Sequence, residues 1–210
     1  MKPGRLALLS FFTLVLCLAC YEFLDVPTAL FFSTAHQTTK NFFEPITQLG
    51  LSWPYLTAVF AGFVFFKFIK KNPAPANVLL FLFIAVIISG LANDLIKFVV
   101  GRSRPCLLIT HGIYAFKPFS HQYDYASFPS GHANTITALC YGLSLATGRF
   151  KYALSIIALA VMASRVVLEA HFLSDVLFGA CLAIVITELI AVGFGKRKPE
   201  LESREPEMTP

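Results

Sequence analysis

The stretch Ser164-Arg165-Val166-Val167-Leu168-Glu169-Ala170-His171-Phe172-Leu173-Ser174-Asp175 sets a cation, an imidazole and a carboxylate between two strongly apolar segments. His171 and Asp175 are four residues apart, which on a helix puts them one turn from each other on a shared face. At that spacing the carboxylate can accept the Nδ1 proton and leave Nε2 free as a nucleophile. Two other clusters hold chemistry of their own. Lys97-Phe98-Val99-Val100-Gly101-Arg102-Ser103-Arg104-Pro105 gathers three cations. Its glycine lets the backbone leave a helix, and its proline biases Arg104 away from helical angles. Pro129-Ser130-Gly131-His132 reads as a helix start made of small residues, whose unpaired backbone N–H groups suit an anion.

Singly, each cluster has a plainer reading: snorkelling interfacial cations, a capped helix start with an incidental histidine, and an Arg165–Glu169 pair at i,i+4. Together they match the requirements of phosphoryl transfer. Lys97, Arg104 and Arg165 can surround three equatorial phosphoryl oxygens, with backbone N–H groups near Ser130 and Gly131 as fixed donors. His171, oriented by Asp175, attacks phosphorus; His132 protonates the leaving oxygen; water then hydrolyses the phosphohistidine. The cations take the part that Mg²⁺ plays elsewhere, and no clustered carboxylates of a metal phosphatase are present, so no metal or other cofactor is expected.

The elements that must position these residues are membrane helices. Of 210 residues 56% are hydrophobic and only 14% charged, against about 25% charged in soluble domains, and the mean hydropathy is +0.68. A spanning helix needs about 20 apolar residues. Six candidates run at about 6–24, 51–69, 78–99, 132–148, 152–168 and 174–195, which predicts an all-α, six-span bundle in one embedded domain over 1–195. The net charge of +5 comes from short basic clusters between apolar runs. These read as topology signals, so nucleic acid is excluded and the partner is the bilayer itself. Cys17, Cys20, Cys140 and Cys181 lie in apolar runs as small hydrophobes. With Cys106 they form no readable disulfide framework, and Cys17-x-x-Cys20 has no charged neighbour to activate a thiolate. The first twenty residues also resemble a signal peptide, but Cys17 stands where a lipoprotein signal would want Leu.

The N-terminus, the gaps near 70 and 150, and the tail hold eleven of the seventeen basic residues. The positive-inside rule therefore places both termini in the cytoplasm. The ends of spans three and five and the starts of spans four and six then share the extracytoplasmic face, so the three polar clusters converge there. Ionisable residues at membrane depth cost about 2.5–3.5 kcal/mol each on insertion scales and are seldom idle. The gap at 25–50 reads equally as an amphipathic interfacial segment or as an ordinary loop. Residues 196–210 read as a disordered cytoplasmic tail. Asp94, three before Lys97, is expected to hold it by pairing, Glu188 deep in span six is either protonated or hydrogen-bonded within the bundle, and His111, Lys117, His121 and Asp124 can face either a head group or solvent.

Lys-x6-Arg-Pro at 97–105, Pro-Ser-Gly-His at 129–132 and Ser-Arg-x5-His-x3-Asp at 164–175 resemble the three-part signature of the type 2 phosphatidic acid phosphatase family, which also includes the vanadium haloperoxidases. All three motifs match in order, and the six spans agree with the membrane branch. The resemblance implies Lys97, Arg104, Ser130, Gly131 and Arg165 as phosphate binders, His171 as nucleophile, His132 as acid and Asp175 as orienter. Arg102 falls in the variable part of the first motif and inherits no role. The resemblance also implies a membrane lipid substrate: undecaprenyl diphosphate, phosphatidylglycerophosphate, phosphatidate or a lipid A phosphate. The compact chain without an Asn-x-Ser/Thr acceptor points to a bacterial inner membrane. A phosphotransferase would use the same phosphohistidine with a second lipid as acceptor. A transporter coupled through Lys97, Asp94 and His171 would instead need charges near mid-bilayer, whereas these residues cluster at one end.

Overall fold

The computed structural model describes residues 3–195; the tail expected at 196–210 lies outside the described residues. Within them all regular elements are helical, apart from one isolated bridge between Arg102 and Phe116. The long elements are α1 (Pro3–Phe23), α4 (Ser52–Val64, continued by a π-helical turn Phe65–Ile69), α5 (Pro73–Val100), α7 (Gly131–Thr147), α8 (Lys151–Val167) and α9 (Leu173–Gly193). Each coincides with an expected span. Between α1 and α4 lie α2 (Asp25–Ser33) and α3 (Gln37–Gln48), so the gap at 25–50 is helical; α6 (Pro105–His111) follows α5.

Among the described residues, four stretches are long and apolar enough to cross a bilayer: α1, the run from α3 through the π-helical turn, α5 and α9. Helices α7 and α8 have 17 residues each, or about 25 Å at 1.5 Å per residue, somewhat short of the ~30 Å of a hydrocarbon core.

Local chemistry sets the helix ends at the polar side of the bundle. Helix α5 stops at Gly101, whose φ of +59° closes a left-handed cap. A side chain there would collide with the Lys117 carbonyl, because a Cβ would lie 1.8 Å from its oxygen. Helix α7 starts at Ser130, which is fully buried and accepts a weak 3.5 Å bond from Ala133 N–H. Helix α9 starts after Phe172, whose N–H donates to Asp175 Oδ2 at 2.9 Å.

Helices α5, α7 and α9 pack on one another. Helix α1 lies against α9, α4 against α5, and α8 against α7, with α3 resting on α8. The core is small-residue packing of the kind that lets membrane helices approach closely: Val86, Ala138 and Ala183 form one cluster, and Ala133, Val166 and Val176 another beneath the polar end. Gly179 is needed there, since a Cβ on it would meet the Ser130 carbonyl at 2.7 Å. The outer faces of α1 and α8 stay apolar, with Phe11, Phe12, Leu18, Ile156 and Leu159 all exposed, as lipid-facing surface requires.

Candidate active site

The C-terminus of α5, the segment 101–104, the N-terminus of α7, the C-terminus of α8 and the turn before α9 meet at one end of the bundle. Three main-chain carbonyls tie these pieces together. Lys97 Nζ and Arg104 Nη2 both donate to Ala126 O, at 3.3 and 3.2 Å. Arg104 Nη1 donates to Ala170 O at 2.9 Å, one residue before His171, and Arg104 Nε reaches Tyr123 O at 3.0 Å. The Tyr123 ring lies 4.0 Å beneath the same guanidinium. Arg165 Nη1 donates to Thr47 Oγ1 at 2.6 Å, while its buried Nε has no partner among the described residues. His132 lies in the combined field of Arg165, Lys97 and Arg104.

Within this cluster, and among the described residues, Lys97, Arg104 and Arg165 pair with carbonyls and a hydroxyl and with no carboxylate; the acids are held by Lys40 and Arg102 instead. Three cations concentrated with no carboxylate in direct contact are arranged to receive an anion. Gly131 N–H, in the first turn of α7, has no acceptor within the helix and adds a neutral donor. The Ser130 N–H is not available for that purpose, because it donates to Asp175 O at 3.1 Å. Only the Ser130 hydroxyl proton remains.

His171 is 3% exposed and precedes α9, so it does not share a helical face with Asp175 as the four-residue spacing implies. Its Nδ1 sits 2.7 Å from the Ser127 carbonyl and 3.7 Å from Asp175 Oδ2. The nearer acceptor is thus a backbone oxygen, with the carboxylate behind it. A carbonyl has no proton to give, so Nδ1 must carry the hydrogen and Nε2 the lone pair. Burial, with Arg104 and Lys97 nearby and only partly opposed by Asp175, pushes the imidazole down to about 3. The ring is neutral across the physiological range.

Two other expectations need correction. Arg165 and Glu169 do not pair, because α8 ends at Val167 and Glu169 turns away with φ of +54°; its carboxylate meets Lys40 of α3 at 2.5 Å. No ion pair joins Asp94 to Lys97 among the described residues, and Asp94 is exposed. Glu188 is buried and accepts a short hydrogen bond from Tyr141 OH. Of the outer-loop groups, Lys117 donates to Gln122 Oε1 at 3.1 Å and His121 lies against Phe98 with ring centres 4.7 Å apart.

Sequence reasoning missed Asp25, Arg102, Ser127 and Thr47. Asp175 Oδ1 accepts from Arg102 Nη1 at 2.6 Å, and Oδ2 accepts from Ser127 Oγ at 2.6 Å. Arg102 Nη2 donates in turn to Asp25 Oδ2 at 2.8 Å. The signal for Asp25 was an acid at the end of the first apolar run, close to a proline.

The chain is similar to known proteins. The model of the PAP2 superfamily fits residues 78–199. The chain belongs to that superfamily. It is 31% identical to the lipid A 1-phosphatase of Rhizobium johnstonii over 93% of this chain and 84% of that protein. With the lipid A 1-phosphatase of Rhizobium etli it shares 30% identity over 75% of this chain and 72% of the other. Among solved structures, the transmembrane PAP2-type phosphatidylglycerolphosphate phosphatase of Bacillus subtilis superposes with a TM-score of 0.67 at 24% identity, covering 93% of this chain and 98% of that one. LpxE of Aquifex aeolicus gives 0.60 at 20%, covering 79% and 92%. Both structures share this chain's fold. This PAP2 chain is accordingly a multi-pass integral membrane protein.

Proposed function

We propose that this membrane lipid phosphatase removes a phosphate monoester from a lipid A-type glycolipid by way of a phosphohistidine at His171. The carrying observation is the convergence of three cations lacking carboxylate partners around an imidazole whose Nδ1 faces a carbonyl. The phosphoryl group sits among Lys97, Arg104, Arg165, Gly131 N–H and the Ser130 hydroxyl. His171 Nε2 forms a bond to phosphorus as the bond to the lipid oxygen breaks, and His132 gives that oxygen its proton. In the second half His132 takes a proton from water, whose oxygen attacks phosphorus; the P–N bond breaks and inorganic phosphate leaves. Lipid and water go in, lipid alcohol and phosphate come out, and both histidines return to their starting forms. The positive cluster stabilises charge on the transferring oxygens without a metal ion. All six long helices cross the bilayer, both termini lie in the cytoplasm, and the site faces the extracytoplasmic side of a bacterial inner membrane. The substrate reading draws on the two Rhizobium relatives, which align over most of their length.

The test is phosphate release by purified protein across a panel of lipid A bisphosphate, phosphatidate, phosphatidylglycerophosphate and undecaprenyl diphosphate, each with and without EDTA. Lipid A is expected to turn over fastest, at a rate unchanged by EDTA. A preference for undecaprenyl diphosphate would sink the substrate assignment, and a strict Mg²⁺ requirement would sink the mechanism.

A further inference from the structure

Behind Asp175, on the side away from His171, lies a second charged group that the phosphate chemistry does not use. Asp25 at the α1–α2 junction and Asp175 at the start of α9 hold the Arg102 guanidinium between them, at 2.8 and 2.6 Å. Ser174 closes the arrangement. Its hydroxyl accepts from Arg102 Nη1 at 2.7 Å and donates to Asp25, while its N–H donates to Asp25 Oδ1 at 2.9 Å. Phe172, Tyr21 and Tyr114 surround the guanidinium with ring centres 4.3, 5.1 and 5.2 Å away. Arg102 is 2% exposed and both carboxylates 0%.

A buried ion pair is poor value as a fastener. Removing charges from water costs several kcal/mol per ion, and apolar replacements of similar volume are often as stable. Docking α1 onto α9 would therefore not by itself call for three ionised groups. What apolar packing cannot supply is direction and charge. Arg102 engages Oδ1 of Asp175, which leaves Oδ2 turned toward Ser127 and His171. Asp25 shares the same guanidinium, so the three groups carry a formal net charge of −1. When Nε2 bonds to phosphorus with Nδ1 still protonated, the ring becomes cationic, and that residual negative charge lies behind it. Asp25 and Tyr21 also fall outside residues 78–199, the segment matched by the superfamily model. The N-terminal helices of this chain thus reach its reaction centre.

We propose that Asp25 and Arg102 are positioning residues for phosphoryl transfer, acting through Asp175 to hold its carboxylate toward His171 and to keep it from being neutralised by a single partner. This rests on His171 being the nucleophile.

The test uses full-length protein in mixed micelles with lipid A bisphosphate and with phosphatidate, rates being normalised to folded enzyme by thermal unfolding. Asp25→Asn keeps the shape and removes the charge. Its kcat is expected to fall about 10–100-fold, the loss typical of outer-shell partners, with KM little changed because the phosphate-facing cations remain. In an Arg102→Gln background the same substitution should cost nothing further. A folded Asp25→Asn enzyme with wild-type kcat, or the same fold loss in both backgrounds, overturns the proposal. Ser174→Ala, which removes the hydroxyl bridging Asp25 and Arg102 but keeps both charges, decides the matter if Asp25→Asn does not accumulate: a severalfold lower kcat supports the role, and an unchanged kcat refutes it. His171→Ala is the control for the underlying reading. Turnover by that variant defeats the nucleophile and this proposal together; a dead His171→Ala beside a fully active Asp25→Asn defeats only this one.

Discussion

The nucleophilic role proposed for His171 rests on two features of its setting, a carbonyl that fixes the tautomer and burial that keeps the ring uncharged. His171→Ala is expected to abolish phosphate release while lipid binding persists, because the three cations and the Gly131 N–H remain. His132→Ala should lower the rate by about 10²–10⁴, the usual worth of a general acid; wild-type turnover by either variant would remove these assignments. Burial of His171 also has a consequence for stability. The ring titrates near 3 in the folded chain and near about 6.5 when unfolded. Between those values the unfolded chain binds a proton that the folded chain refuses, so stability rises with pH across this window and the contribution levels off above it. Thermal unfolding in detergent should therefore occur at lower temperature as pH falls from 7 to 4.5, and His171→Asn should flatten that dependence. An identical slope in both proteins would mean that the ring is not held neutral by the fold.

At the scale of elements, α3 is the least expected part of the site. It and the turn after it meet the candidate site or its flank at three points: Lys40 pairs with Glu169 beside the site, Thr47 binds Arg165, and Gly50 just beyond the helix lies against His132. A Cβ on Gly50 would lie 2.7 Å from His132 Cβ and Cδ2, so His132 or the α3–α4 elbow must move to accept it. Gly50→Ala should lower kcat by up to about 10²-fold, the effect of a misplacement near 1 Å, whereas Gly90→Ala in α5, where a Cβ meets nothing within 4 Å, should leave kcat unchanged. Equal rates for both variants would show that His132 tolerates displacement. The contrast explains what was legible beforehand. Helices α1, α5 and α9 follow from the length of their apolar runs, and the three clusters follow from the requirement that membrane-embedded charges have work to do. The α3 contacts leave no such mark, because Thr47 and Gly50 are ordinary residues whose partners lie far along the chain; Thr47 and Arg165 are 118 positions apart. Asp25 and Arg102 are hidden in the same way at 77 positions. The Asp175–His171 relation was legible in residue type but not in geometry, since helical spacing assumes a helix that begins only at Leu173.

At the scale of the whole molecule, every proposed site residue comes from the same end of the bundle, and the number of crossings together with the placement of basic residues decides which leaflet that end faces. If α1, α4, α5, α7, α8 and α9 each cross once, the α7–α8 turn with Arg149 and Lys151 lies with the termini on the cytoplasmic side, and α6 lies outside with the phosphate site. The chain has its own reporter of this arrangement. Cys106 in α6 is exposed, whereas Cys17, Cys20 and Cys140 are buried and Cys181 is intermediate. A membrane-impermeant maleimide added to intact spheroplasts should label the protein at Cys106, and Cys106→Ser should remove most of that signal. In the Cys106→Ser background, Phe150→Cys, which replaces an exposed residue at the opposite end, should be labelled only after the membrane is permeabilised. The reverse pattern, with Cys106 protected and position 150 reactive in sealed cells, would place the cation cluster in the cytoplasmic leaflet and require a different pool of lipid phosphates. Labelling of both positions from outside would mean that α7 does not cross, leaving its 17 residues as a helix within the protein and not a span.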